Sequence, residues 1–261
     1  MSSLTRFRTL MWLEARRSWV WGVALIGSLA FWAWGMHQVS FVDPGEQLGV
    51  RAAILLVASG IGGLVLCLMI GRIRSETRHG QYQVLLLTPP SGYLHTLARF
   101  TFVGMVAVAY YITIGGLAWW AIAQAGLQLD AGSAAQLMLV CPLYGVGLAM
   151  LPALAWTLLL MVFVSSYRVS GPGWVPGTVM VLATPFLGSW ISEGIWKVSY
   201  RLPSWRLFEG LRAAINTAAW EAEVEGFQGV FSLPQEPLWI MLAISAVMLA
   251  VAGRIWQEVE G

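Results

Sequence analysis

IRSETRHGQYQVLLLTPPSGYLHTLARF, residues Ile73 to Phe100, is a polar interruption flanked on both sides by long apolar runs, and the rest of the chain can be read outward from it. Arg72, Arg74 and Arg78 place positive charge directly after an apolar run, the flank expected on the cytoplasmic side of a membrane. Gln81 to Leu87 carries too many apolar residues for a solvated tether, and Pro89-Pro90 stops any helix before a new start at Ser91. The expected local structure is a short helix, a turn and a second helix start, docked at the cytoplasmic surface.

Composition supports a membrane setting. The 261 residues have a mean hydropathy of +0.70, with 58% apolar and only 11% charged residues, which points to a membrane protein rather than one or two soluble domains. Fifteen Trp residues fit the membrane interface, where an indole keeps its N–H wet and its body apolar. The net charge of +2 leaves no nucleic-acid footprint. Cys67 and Cys141 lie inside apolar runs without disulfide or metal spacing and are expected as core thiols.

Taken in order, Leu4 to Ser18 reads as an imperfect amphipathic helix, with Leu4, Phe7, Met11 and Ala15 on one stripe and Arg6, Arg16 and Arg17 opposite. Arg8 and Glu14 break that pattern; the plainer alternative is a positive flank that orients the first span. Residues 19–39 are long enough to cross a hydrocarbon core of roughly 30 Å at about 1.5 Å per residue, and the run lacks a small-x-small cleavage site, so it is expected to be retained. Phe41 to Arg51 is expected as a short outer turn and 52–71 as the second span, where Ala58 with Gly62 and Ser59 with Gly63 form small faces that admit another helix.

Residues 100–124 are expected as the third span and 136–164 as the fourth, kinked or split by Pro142 and Pro152, either as a packing feature or as a hinge. Ser165 to Pro176 is a short inner loop carrying Arg168, and 177–195 is the fifth span, ending near Glu193. Residues 196–237 form the longest polar stretch. Phe208, Leu211, Ile215, Ala218 and Ala222 recur there at helical spacing and predict an amphipathic helix over the outer surface. Its charged groups, Arg201, Arg206 and Arg212 before Glu221, Glu223 and Glu225, read as a solvated face ahead of the alternative, a substrate-binding patch. Residues 238–255 complete six expected spans with both termini cytoplasmic. Ten basic residues (Arg6, Arg8, Arg16, Arg17, Arg72, Arg74, Arg78, Arg99, Arg168, Arg254) then fall inside and five (Arg51, Lys197, Arg201, Arg206, Arg212) outside, in line with the positive-inside rule.

Several chemistries are excluded. The only Lys is Lys197, preceded by Trp196, so no G-x-x-x-x-G-K-[ST] phosphate loop exists and this chain cannot bind ATP in that way. His37, His79 and His95 lack ligand spacing, no G-x-S-x-G elbow occurs, and no paired carboxylates lie at mid-span. An ion-coupled carrier would carry ionisable groups within its spans; these spans are almost free of charge, so energy for any transport must come from another polypeptide.

Glu76, Gly80, Leu85, Leu86, Thr88, Pro89 and Ser91 follow the spacing E-x3-G-x4-L-L-x-T-P-x-S, which resembles the cytoplasmic loop after the second span in permeases of the type-2 ATP-binding-cassette (ABC) exporters. Gln81 stands for the usual Thr, Gln83 for the usual Glu, and Arg99 for the usual Lys opening the next span. The resemblance extends to the layout and implies an all-α polytopic permease domain over 1–261, with residues 1–18 as an elbow helix lying at the cytoplasmic surface, 72–99 as the coupling loop and 196–237 as the extracellular loop. In the elbow, Arg6, Phe7, Met11, Glu14, Arg16 and Arg17 would contribute to coupling, and Glu193, Phe208, Leu211 and Ile215 would form an outer gate. The resemblance also implies a second permease chain, identical or related, and two nucleotide-binding ATPase subunits that hold ATP and Mg, with no cofactor in this chain. Export of a lipid, hydrophobic peptide or drug-like substrate across a prokaryotic cell membrane is the expected activity. A membrane anchor or immunity protein that binds a partner without transport would share the hydrophobicity but not the motif. A membrane enzyme would need polar groups that only the outer loop could supply.

Overall fold

The computed structural model describes residues 3–39, 47–71, 92–124, 131–166, 193, 204–207 and 231–260. Over these residues the chain is nearly all helical. Helix α1 spans Ser3–Gln38, α2 Gln47–Gly71 and α3 Gly92–Gln124. Helix α4 is continuous over residues 131–166, and α5 spans Gln235–Glu260. All five contain stretches long and apolar enough to cross a membrane, and they coincide with five of the six expected spans. Large apolar side chains such as Trp19, Ile26, Leu56, Leu64, Met105 and Val247 stand exposed on their outer faces, as lipid-facing helices require. The chain is a multi-pass membrane protein. The expected span 177–195 lies outside the described residues apart from Glu193, which is helical and exposed.

Helix α3 is central and packs against α1, α2, α4 and α5. Its inner stripe, Val103, Ala107, Tyr110 and Ile114, meets Leu25 of α1, Ala58 and Leu66 of α2, and Leu154 and Leu158 of α4 in one core. The small faces foreseen on α2 receive the two tyrosines of α3. The Tyr110 hydroxyl donates to the Ala58 carbonyl at 3.0 Å and the Tyr111 hydroxyl to Ser59 at 2.9 Å. A Cβ on Gly62 would run into the Tyr110 ring, and one on Gly63 would stand 3.1 Å from the Tyr111 hydroxyl. Glycine and alanine here admit aromatic side chains rather than a second backbone.

Two departures from the sequence expectation concern helix continuity. Residues 3–38 form one uninterrupted helix of 36 residues, about 54 Å long. The chain therefore does not leave the helical path at Ser18, and no separate elbow precedes the span. No Gly or Pro occurs between Ser3 and Trp21, so nothing in the backbone opposes continuation. The fourth span is likewise not split. In α4, α-helical Ala131–Ala135, Cys141–Gly145 and Leu151–Ser166 alternate with π-helical Gln136–Val140 and Val146–Met150. Each π segment ends two residues before a proline. Pro142 and Pro152 lack the N–H that would bond the carbonyl four residues back, and their rings press on that carbonyl. Widening the preceding turn relieves the clash: Cys141 N–H donates to Gln136 O, and Leu151 N–H to Val146 O, five residues back.

A third departure is a short antiparallel β pair, Trp205–Leu207 with Phe231–Leu233, in register Trp205↔Leu233, Arg206↔Ser232 and Leu207↔Phe231. It lies in the stretch expected as loop and amphipathic helix. Pro203 and Pro234 bound these segments in the sequence and disfavour a helix there. Residues 208–230, including Phe208, Leu211 and Ile215, lie outside the described residues. The Tyr144 hydroxyl donates to Pro234 O at 2.9 Å, joining α4 to the start of α5.

Gly115 of α3 packs against the turn that precedes Pro142, whose missing N–H can serve neither Met138 O nor Leu137 O. A Cβ there would stand 2.6 Å from Pro142 Cγ, 2.8 Å from Met138 O and 3.0 Å from Leu137 O, whereas one on Gly116 would meet only Met138 Cε at 3.8 Å. Gly115→Ala should therefore destabilise the bundle by about 1–3 kcal/mol through overpacking against backbone. Gly116→Ala should be neutral or stabilising by up to about 1 kcal/mol, since alanine is the better helix former. Thermal unfolding of the two variants in detergent checks this, and equal midpoints would contradict the packing.

Candidate functional site

The motif residues Glu76, Gly80, Leu85, Leu86, Thr88, Pro89 and Ser91 lie outside the described residues. What the structure describes is how the helix following them is held. Gly92, immediately after Ser91, opens α3, so the expected restart after Pro89-Pro90 is present and residues 92–99 belong to α3 rather than to a loop. Pro89-Pro90 disfavours helix before it, and no Gly or Pro occurs from Tyr93 to Val103 to stop it afterwards.

Two contacts fix this first part of α3. On one side, a Cβ on Gly253 of α5 would collide with the Tyr93 ring and stand 3.1 Å from the Tyr93 Cα, so the helices touch nearly backbone to backbone. On the other side, Arg99 Nη2 donates to Glu14 Oε1 of α1 at 2.8 Å, with the side chains 8% and 13% exposed respectively. Leu10 and Ser18, one helical turn before and after Glu14, are buried on the same face of α1, and Thr96 and Arg99 are buried on the face of α3.

The face of α1 that packs into the bundle is a different one from the apolar stripe read in the sequence. Leu4 is 78% exposed and Ala15 exposed, while Phe7 and Met11 are half-buried. The inward stripe is instead Leu10, Glu14 and Ser18, so the residue that broke the sequence pattern faces the core. A carboxylate can do so because a guanidinium waits there; neither ion would be tolerated alone at that burial. Arg6 and Arg16 are exposed, Arg17 is half-buried, and the Arg16 guanidinium lies 5.5 Å from the centre of the Trp12 ring. The pairing of Glu14 with Arg99 has no local sequence signal, since 85 residues separate them. The one hint is a single acid amid the basic residues of the N-terminal segment.

At the other end of the bundle, where α2 begins and α3 ends, Arg51 corrects a second expectation. It lies within α2 rather than in a turn, is 3% exposed, and donates from Nη1 to Ala121 O at 2.8 Å. Ala121 is among the last four residues of α3, whose carbonyls lack intrahelical donors, so the guanidinium caps that terminus. Its Nε–H is buried without a hydrogen-bond partner, and among the described residues no carboxylate pairs with it. Below Arg51, a groove of about 540 Å³ runs between α2, α3 and α4. Leu55, Ser59, Gly63 and Cys67 line it from α2, Tyr111, Ile114, Gly115 and Ala118 from α3, and Pro142, Gly145 and Ala149 are among those from α4. Both cysteines of the chain, Cys67 and Cys141, face it half-buried. Among the described residues no group of three or more His, Cys, Asp or Glu could hold a metal ion.

No protein-family model, curated protein or solved structure matches this chain.

Glu14→Ala should leave the Arg99 charge buried without its carboxylate and lower stability by about 3–5 kcal/mol. The exchanged pair Glu14→Arg/Arg99→Glu should recover much of that loss, because the ions can meet again in reverse. Denaturant titration of the three forms in micelles measures it; wild-type stability in the single variant would remove the ion pair from the account.

Proposed function

We propose that the chain is the permease subunit of an ATP-driven exporter of the type-2 ABC kind, moving a hydrophobic or amphipathic substrate outward. ATP and Mg are held by separate nucleotide-binding subunits, and a second permease chain completes the pathway. The observation that carries the reading is the E-x3-G-x4-L-L-x-T-P-x-S element, followed directly by a helix that touches each of the other four described long helices. A push on residues 76–91 would be delivered to the start of α3. From there the Glu14–Arg99 ion pair passes it to α1, and the Tyr93–Gly253 contact passes it to α5. Packed helices of this kind move as units rather than deforming continuously. The spans carry few charges, so the energy enters through this loop and not through an ion site in the membrane.

The test is affinity purification of the tagged chain from mild detergent with an ATPase assay on the eluate. A Walker-motif ATPase should co-purify, and the paired change Leu85→Asp/Leu86→Asp should release it. Gly80→Pro should keep the ATPase bound and active while export falls at least about tenfold, a loss of roughly 1.4 kcal/mol of coupling. A chain that elutes alone without hydrolysis would instead support the anchor or immunity reading.

A further inference from the structure

We propose that the groove between α2, α3 and α4 holds one acyl chain of an anionic membrane lipid, with the headgroup drawn to Arg51. The inference concerns this chain alone and does not depend on the permease reading. At about 540 Å³ the groove falls in the size range of ligand sites, roughly 300–1,000 Å³. Among the described residues it is open to the surface, and the residues on its open side are small: Gly145 and Ala149 are exposed, and nothing would meet a Cβ placed on Gly145. A molecule can therefore enter sideways from the bilayer. The α2 row from Leu55 to Cys67 is about 18 Å long, close to one leaflet of a hydrocarbon core about 30 Å thick.

The lining selects an alkyl chain over a peptide. A peptide segment brings N–H and C=O groups that must all be satisfied inside the membrane. The groove offers few polar atoms, and the Tyr111 hydroxyl is already engaged with Ser59 O. An acyl chain makes no such demand.

The headgroup preference follows from position. Leu55, Ser59, Gly63 and Cys67 repeat every fourth residue, and the next place up that row is Arg51. On α3, the next place beyond Ala118 on the same face is Ala121. The Arg51–Ala121 hydrogen bond thus lies one helical turn beyond the lining residues Leu55 and Ala118, toward the end where α2 begins and α3 ends. Arg51 brings there a buried positive charge with one N–H unpartnered and no carboxylate beside it among the described residues. A buried cation needs a counter-charge, and basic sites between membrane helices take anionic headgroups. A zwitterionic headgroup supplies no net charge to this end of the groove.

Native mass spectrometry of the full-length chain, titrated with phosphatidylglycerol and with phosphatidylcholine of the same acyl chains, tests the proposal. The wild type should retain phosphatidylglycerol at least about tenfold better, a difference of roughly 1.4 kcal/mol. Arg51→Gln should bring the ratio near unity, and Arg51→Lys should keep most of it. Ala149→Phe fills the groove from its exposed side without touching the core, and should reduce retention of both lipids about tenfold. Equal retention of the two lipids by the wild type would overturn the headgroup assignment. Undiminished lipid in Ala149→Phe, or a dimer that this change converts to monomer with lipid unaffected, would overturn the groove assignment, the latter giving the groove to a second copy.

Discussion

A proline inside a membrane helix leaves carbonyls without a donor, and in this bundle Gly115 is what packs against them. Pro142 cannot serve Met138 in the α register or Leu137 in the π register, and both carbonyls face Gly115 at distances that only a residue without a side chain allows. The close approach brings α3 and α4 together, and α3 in turn organises everything else. Its tyrosines seat in the small faces of α2, its core stripe meets α1 and α4, and its first turns are clamped by α1 and α5. Lipid offers no hydrophobic drive to hold helices together, so contacts of this kind, between backbone, small residues and tyrosine hydroxyls, decide which helix lies beside which.

Five of the six expected spans coincide with observed helices, and they were legible in the sequence because length and hydropathy depend little on neighbours. The runs at 52–71, 100–124 and 238–255 all lie inside observed helices. Their ends were less legible: α2 begins at Gln47 and α3 at Gly92, outside the apolar runs. Hydropathy marks the apolar run, whereas the helical hydrogen bonds continue past it through residues such as Arg51 and Thr96, which are buried against neighbouring helices. The prolines of α4 announced strain but not its resolution. A kink, a break and a π turn all answer a missing N–H, and here a π segment precedes each of the two prolines.

The ionic features were the least legible. Glu14 looked like a flaw in an amphipathic pattern and Arg51 like part of a turn. Each makes sense only beside a residue far along the chain, Arg99 for one and Ala121 for the other. Periodicity reports which face of a helix is apolar; it carries no record of a charge whose partner arrives on another helix. The motif between Glu76 and Ser91 lies outside the described residues; what the structure adds is that Gly92, directly after it, starts a helix where Pro89-Pro90 said one could begin.

The Glu14–Arg99 pair also has a consequence for how the protein is made. Its two residues are 85 positions apart, so at about 5–20 residues per second Glu14 has been synthesised on the order of ten seconds before Arg99 exists. Through that interval α1 must enter the membrane with its carboxylate unpaired. It can do so because Glu14 sits near one end of a helix longer than the bilayer is thick, within reach of water. Burial of the ion pair therefore belongs to a later stage, the docking of α3 against a first helix already in place, and the order of synthesis is written into which of the two charges can afford to wait.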